Sequence, residues 1–278
     1  MRIDAHQHFW TYDPRRDQWI TDDMDILRRN FLPADLKPLL DAAKVDGTIA
    51  VQADESEAET EWLLALATEN PFIRGVVGWV DLKAANLDEK LRHFSTAPKL
   101  RGFRTITQGK PVEQYLGNKA FIQGVKALQG HGYTYDLLIY HDQFPDAIRF
   151  TEQCPDQPFM LDHLGKPAIA AKEIKKWKEH MRILSANPRI YCKLSGMVTE
   201  ADWQRWRYED IAPYLEIAGE YFGTSRLCFG SDWPVCLLAG SYPQVSGILD
   251  RFLQQVRPDE REAVCGGNSI QFYGIEQP

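Results

Sequence analysis

Four side chains in this sequence are of types that do hydrolytic chemistry together. His6 and His8 form an H-x-H pair near the start. In a strand, residues two apart point to the same face, so both imidazoles would face one way. His163 follows an apolar run in Leu161-Asp162-His163-Leu164-Gly165-Lys166-Pro167 and precedes a turn. Asp232 stands where a later run ends, in Phe229-Gly230-Ser231-Asp232-Trp233-Pro234. Imidazoles and a carboxylate gathered at one point can activate a water, hold a divalent metal, or do both. Taken singly, each has a bland explanation: unrelated strand residues, a histidine bonded to backbone, a turn aspartate. Their shared position at the ends of apolar runs is what points to a site.

For these groups to meet, the runs must converge. Eight short apolar runs flanked by turn signals occupy 2–9, 46–53, 73–82, 100–107, 134–141, 159–164, 190–196 and 227–233. Several are apolar almost throughout, as a buried parallel sheet requires. Helical patterns lie between them. Asp54 is placed to cap a helix bearing Ala58, Trp62 and Leu66 on one face, and Asn118 one bearing Phe121, Ile122, Val125 and Leu128, stopping at Gly130. Ile174, Trp177, Met181 and Leu184 repeat at helical spacing, as do Val245, Ile248, Leu249 and Phe252 after the cap Ser241. Eight strand–helix units predict an α/β chain folded as one (β/α)₈ TIM barrel, a single domain over 1–278, in line with the ~250 residues such a barrel takes. A doubly wound sheet would bind a nucleotide through a glycine-rich turn after its first strand. Here that turn reads His6-Gln7-His8-Phe9-Trp10, without glycine, so no organic cofactor is expected.

The stretch 10–32 is the longest irregular segment and holds Trp10, Tyr12, Trp19, Arg15 and Arg16. Following the first strand, it belongs on the C-terminal face of a barrel, where active sites are built. Composition narrows the partners. A net charge of −7 argues against nucleic acid or an anionic membrane surface. No apolar run is long enough to span a membrane, and the start lacks the apolar stretch of a signal peptide. Five cysteines without C-x-x-C spacing are expected to be reduced, in a cytoplasmic protein. Nothing in the pattern sets an oligomeric state.

The sequence resembles the amidohydrolase superfamily, in its "amidohydrolase 2" lactonase branch, which contains L-fuconolactonase- and L-rhamnonolactonase-like enzymes. The likeness is carried by the segments 4–10, Val51-Gln52-Ala53 with Glu59-Thr60, Gly78-Trp79-Val80-Asp81, 161–167, Lys193-Leu194-Ser195-Gly196-Met197, 229–234, Gly267-Asn268 and Phe272-Tyr273. The resemblance implies a (β/α)₈ barrel and a hydrolase acting on a small cyclic ester. Two-metal members carry a bridging carboxylate or modified lysine at the fourth strand end. Here that run reads Gly102-Phe103-Arg104-Thr105-Ile106-Thr107, so a two-metal site is not expected. Thr105 also stands where the branch often has histidine.

With that resemblance, Asp232 is the expected general base and His163 its catalytic partner. His6, His8, His163 and Asp232 form the ligand set for one divalent metal, of a type that suits zinc with an open position for water. Hydrolysis of an activated lactone does not by itself demand that metal. Arg104 and Lys193 are candidates to stabilise the developing oxyanion. His141 is available as a ligand, a substrate contact or a rim residue. Ser195 lacks a G-x-S-x-G elbow and is expected to hydrogen-bond at the seventh strand end. The expected substrate-binding set is Gln7, Trp10, Gln52, Trp79, Arg104, Tyr140, His141, Lys193, Ser195 and Trp233. Anionic lactones would call for several arginines, and only Arg104 lies clearly at a strand end. Flat aromatic faces with neutral polar groups suit a sugar ring, so the expected partner is a neutral sugar lactone, with L-fucono-1,5-lactone and L-rhamnonolactone foremost. A metal-dependent decarboxylase or amidohydrolase, and a catalytically silent barrel binding a sugar acid, are the competing expectations.

Overall fold

Eight parallel strands follow one another around a single sheet in chain order, β1 to β8. They are β1 (Ile3–Gln7), β2 (Gly47–Val51), β3 (Ile73–Gly78), β4 (Leu100–Ile106), β5 (Thr134–Leu138), β6 (Phe159–Leu161), β7 (Ile190–Leu194) and β8 (Leu227–Phe229). Helices α1 (Pro33–Ala42), α2 (Glu57–Glu69), α3 (Leu87–Phe94), α4 (Lys119–Gly130), α5 (Phe144–Gln153), α6 (Lys175–Ser185), α7 (Tyr208–Phe222) and α8 (Tyr242–Leu253) follow the strands in turn. Two short helices, α9 (Pro258–Glu262) and α10 (Asn268–Tyr273), complete the chain. The computed structural model describes residues 1–276. It is a (β/α)₈ barrel, and each strand falls inside one of the eight apolar runs. Among the described residues no helix is long and apolar enough to cross a membrane, and all five cysteines are free.

The sheet closes between its first and last strands at the site-bearing end. Asp232 N–H donates to the His6 carbonyl at 2.8 Å, and His8 N–H to the Trp233 carbonyl at 2.7 Å. The seam that closes the barrel therefore also brings the H-x-H pair beside Asp232.

Alternation along β1 is interrupted. Ile3 and Asp4 pair with Gly47 and Thr48, but Gln7 pairs with Ala50, so one extra residue is accommodated between Asp4 and Gln7. Ile3 and Ala5 pack in the barrel interior with Ile49, Val51, Val77, Met160 and Cys228, under Tyr273 of α10. The bulge then turns His6 inward as well. Asp4 faces the opposite way and accepts the Tyr242 hydroxyl of α8 at 3.0 Å.

Helix caps differ at one point from the sequence reading. Asn118 accepts from Phe121 N–H at 3.1 Å, and Ser241 shares a capping box with Gln244. At α2, however, the cap is Ser56, which accepts from Glu59 N–H at 3.2 Å. Asp54 stays in the loop. With the start moved by two residues, Thr60, Leu63 and Ala67 form the buried stripe, while Trp62 and Leu66 are only half-buried and Ala58 is exposed.

Candidate active site

Three imidazoles and one carboxylate meet where β1, β6 and β8 end. His6 Nε2 and His8 Nε2 are 3.1 Å apart. Asp232 Oδ1 lies 3.5 Å from His8 Nε2, 3.8 Å from His6 Nε2 and 3.9 Å from His163 Nε2. All four residues are buried. His163 and Asp232 both have left-handed backbones, with φ of 54° and 57°. For residues other than glycine that conformation costs about 1–2 kcal/mol each, and such strain concentrates at functional sites. Neighbours hold the strained turns in place. Trp177 Nε1 donates to the Leu164 carbonyl at 2.8 Å. Gly196 has no side chain, and a Cβ there would stand 2.5 Å from His163 Nδ1.

Each imidazole is oriented through its other nitrogen. His8 Nδ1 is 2.7 Å from the Val51 carbonyl, which can only accept, so Nδ1 carries the proton and Nε2 keeps its lone pair. His163 Nδ1 is 2.9 Å from Ser195 Oγ. His6 Nδ1 faces Asp162 Oδ1 at 3.3 Å, while Arg104 Nη1 lies 3.3 Å from its Nε2. Two nitrogen lone pairs at 3.1 Å, with a carboxylate beside them, leave negative density that wants a cation. Hydrogen-bonding groups on the far ring nitrogens are the usual partners of metal-ligating histidines. His6, His8 and Asp232 bring two nitrogens and one oxygen within reach of one another, a donor set that fits one divalent metal of zinc type, and His163 Nε2 stands 3.9 Å from Asp232 at its edge.

The groups beneath this cluster are charged. Asp162 receives Arg104 Nη1 at 3.1 Å and stands 3.0 Å from Lys193 Nζ. Lys193 also pairs with Asp136, whose carboxylate accepts the Tyr273 hydroxyl at 2.8 Å. Burial alone would raise the Asp162 pKa, but Lys193, His6 and Arg104 hold it well below the usual carboxylate range. Burial pushes Asp136 up to about 6 even against Lys193. Burial lowers His6 well below its ordinary value and His163 to about 4, so both imidazoles are neutral near pH 7. Burial would raise Asp232 as well, but the charge that His163, His8 and His6 take up on protonation outweighs it and keeps the carboxyl below the usual range.

Above the cluster opens a cavity of about 680 Å³. His8, His163, Asp232 and Arg104 form its floor, and Trp10 and Tyr140 belong to its wall. The segment 10–32 covers it as expected from its place in the chain. A short helix, Asp22–Leu27, and a bridge between Trp10 and Phe31 give the segment shape, and Trp10, Arg16, Trp19 and Met24 reach the cavity.

Several expected contacts lie elsewhere. Trp233 is fully buried against Phe9 and Phe31, because the chain turns back into the barrel seam there. Trp79 lines a separate cavity of about 220 Å³ with Tyr115 and Phe121, and its backbone is pinned by Thr60 of α2. Thr105 lines that same cavity. Gln7 is fully buried, and its amide has no partner among the described residues. Gln52 is also buried and holds Arg104: Arg104 Nη2 donates to the Gln52 carbonyl, and Gln52 Nε2 donates to the Arg104 carbonyl at 3.2 Å. Lys193 and Ser195 are fully buried beneath the cluster, where they act on His6 and His163 rather than on a ligand. His141 sits at the rim, its Nδ1 3.1 Å from the Lys166 carbonyl, and joins neither the cluster nor the cavity wall.

The wall also corrects the expectation of few cations. Arg16, Lys110 and Lys166 line it with Arg104, offset by Asp54, Glu55, Glu200 and Asp232. Strand-end reasoning could not reach Arg16, Lys110 or Glu200, which come from loops. Asp162, adjacent to His163, was within reach of the sequence. Its signal was a carboxylate at a barrel strand end.

The family follows from comparison with known proteins. A family model described as amidohydrolase matches residues 3–275. The chain belongs to the amidohydrolase family. It is 41% identical over 289 residues to an L-fucono-1,5-lactonase of Burkholderia multivorans, covering 100% of this chain and 97% of that one. Identity to an L-fucono-1,5-lactonase of Burkholderia ambifaria is 36% over 288 residues, with the same coverage. A crystal structure of an amidohydrolase from Burkholderia multivorans with bound zinc superposes with a TM-score of 0.96 at 40% identity, covering 99% of this chain and 100% of that chain. The amidohydrolase barrel thus agrees between sequence, geometry and relatives.

Proposed function

We propose that this amidohydrolase opens a sugar lactone, L-fucono-1,5-lactone or a close aldonolactone, by attack of water on the lactone carbonyl. The observation that carries the reading is the ionised Asp232 carboxylate, ringed by three imidazoles on the floor of a sugar-sized cavity. The names and full-length similarity of the two curated lactonases support the substrate class.

Asp232 accepts a proton from the attacking water as the new C–O bond forms. His163, fixed by Ser195, orients that water. Negative charge develops on the carbonyl oxygen, and Arg104, held by Gln52 and Asp162, is the permanent cation on the cavity floor to meet it. When the ring C–O bond breaks, protonated Asp232 returns its proton to the leaving alkoxide. The product is the aldonic acid with its ring hydroxyl freed, and the carboxyl proton is then lost to solvent to leave the aldonate. His6, His8, His163 and Asp232 would hold one divalent metal, which when bound supplies Lewis-acid polarisation.

The test is acid release from a panel of aldonolactones, with and without a chelator. Acceleration over buffer with L-fucono-1,5-lactone is expected. No acceleration with any six-carbon sugar lactone would overturn the proposal. Decarboxylation or amide hydrolysis that vanishes on chelation would support the competing reading. The β4 end, with Arg104 and Thr105 in place of a bridging ligand, weighs against it.

A further inference from the structure

The turn that carries His163 carries a second cavity residue. His163, Leu164, Gly165 and Lys166 have φ of 54°, 57°, 66° and 47°, four left-handed residues in succession. Three of them have side chains, so the turn is strained and must be held from outside. Lys166 N–H donates to the His163 carbonyl at 2.8 Å, and His141 clasps the Lys166 carbonyl. This geometry gives His163 to the imidazole cluster and Lys166 to the cavity wall in one rigid unit.

Lys166 Nζ stands 3.5 Å from Glu200 Oε1, and both side chains are largely but not wholly buried. At that distance the pair is loose. Each group keeps hydrogen-bonding capacity: an ammonium has three donors and a carboxylate about four acceptor sites. Both line the cavity. Glu200 is anchored through its carbonyl, which accepts from Ala170 N–H at 3.0 Å. Aromatic rings flank the pair. Lys166 Nζ lies 5.4 Å from the centre of the Tyr140 ring, and Trp203, also on the wall, is fixed by its Nε1 donating to the Thr199 carbonyl at 2.9 Å.

We propose that Lys166 and Glu200 form a hydroxyl-reading subsite that binds two neighbouring hydroxyls of the sugar ring. This rests on the lactonase reading and names what gives it selectivity for a sugar. A vicinal diol presents an acceptor oxygen and a donor O–H on adjacent carbons. The ammonium donates to one oxygen while the carboxylate accepts from the other hydroxyl. Tyr140 and Trp203 supply apolar faces for the ring carbons. Without ligand the two ions partner each other, so neither is left as a lone buried charge. Loop residues 199–203 and the turn after β6 thus read substituents, while β1, β6 and β8 perform the ring opening. Burial raises the Glu200 pKa, with Lys166 opposing the shift.

The experiment compares wild type, Lys166→Met and Glu200→Gln on two lactones of one ring size. One is L-fucono-1,5-lactone and the other δ-valerolactone, which has no hydroxyls. In each variant the loss of kcat/KM on the hydroxylated lactone should exceed the loss on δ-valerolactone at least about tenfold, chiefly through KM, since hydrogen bonds to charged groups are at stake. Equal losses on both lactones, or no loss on either, would overturn the subsite. A wild type that opens neither lactone defeats the lactonase reading instead. Calorimetric titration with L-fuconate then decides the subsite alone. Binding to wild type that weakens at least about tenfold in both variants sustains it. Equal binding by all three proteins, or none by wild type, overturns it. Melting temperatures within a few degrees of wild type verify that the strained turn has survived each substitution.

Discussion

The Lys193 ammonium lies 3.0 Å from the Asp162 carboxylate, with both side chains fully buried beneath the imidazole cluster. Lys193 also pairs with Asp136, and Asp162 also takes Arg104. Two buried carboxylates thus meet two buried cations, and the layer under the site is formally neutral. That balance is what allows so many charges inside a barrel, where a single uncompensated ion costs several kcal/mol. It also fixes Asp162, which faces His6 Nδ1.

Lys193→Met is therefore expected to destabilise the fold by about 3–5 kcal/mol, the scale for a buried ion that loses its partner. The double variant Asp136→Asn with Lys193→Met removes one charge of each sign and should recover at least half of the loss. Urea denaturation of both variants measures this. A Lys193→Met protein as stable as wild type would show that the pairing carries no weight.

Asp232→Asn removes the only carboxylate among the described residues that faces all three imidazoles. The expected loss in kcat is at least ~10²-fold, the scale of a lost general base. The amide is nearly isosteric and the melting temperature should stay close to wild type. Steady-state kinetics with the preferred lactone provide the check. Near-full turnover by the variant would remove Asp232 from the base role.

The barrel was legible because its signal is redundant. Eight apolar runs each needed only to be strand-like, and β6 or β8 could shrink to three residues without changing the inference. The reacting groups were legible for the same reason, since strand ends of this fold converge. The cavity wall was not. Trp79 and Trp233 sit beside cavity-facing motifs in sequence, but a single turn of backbone sends one into a separate cavity beside Tyr115 and Phe121 and the other into the seam. The β1 bulge inserts a residue that no alternation pattern announces, and so separates Asp4 from the face of His6. Arg16, Lys110 and Glu200 come from loops, whose path depends on tertiary anchors such as Glu59. The Glu59 carboxylate accepts the Ala53 and Asp54 N–H groups, is raised to about 8 by burial, and fixes the loop that brings Asp54 and Glu55 to the wall.

Ser195→Ala is expected to act through His163. The hydroxyl lies on His163 Nδ1 and touches no part of the cavity wall. Its removal frees the imidazole to rotate or change tautomer. Loss of such an outer partner typically weakens metal binding or activity about 10–100-fold. Zinc affinity by chelator competition and kcat should fall together, with little change in KM. A rise in KM alone would mean that Ser195 meets the substrate directly.

Tyr242→Phe tests the other face of β1. The Asp4 carboxylate accepts Ser231 N–H at 2.8 Å, His6 N–H at 3.2 Å and the Tyr242 hydroxyl at 3.0 Å. It thereby ties the backbone of β1 at His6 to the residue before Asp232, across the seam. Burial raises the Asp4 pKa from 3.8 to about 6. Between those values the folded chain holds more protons than the unfolded one, so this group's contribution to stability falls as pH rises through the window. Above it, Asp4 is a buried anion that depends on its three donors. Deleting the Tyr242 hydroxyl should then cost about 1–3 kcal/mol near pH 7.5. Near pH 5, with Asp4 protonated in the folded state, the cost should be smaller, because the hydroxyl no longer meets a full charge. Urea denaturation at the two pH values gives the difference. A cost that is equal at both, or larger in acid, would show that Asp4 is not the group that the Tyr242 hydroxyl stabilises.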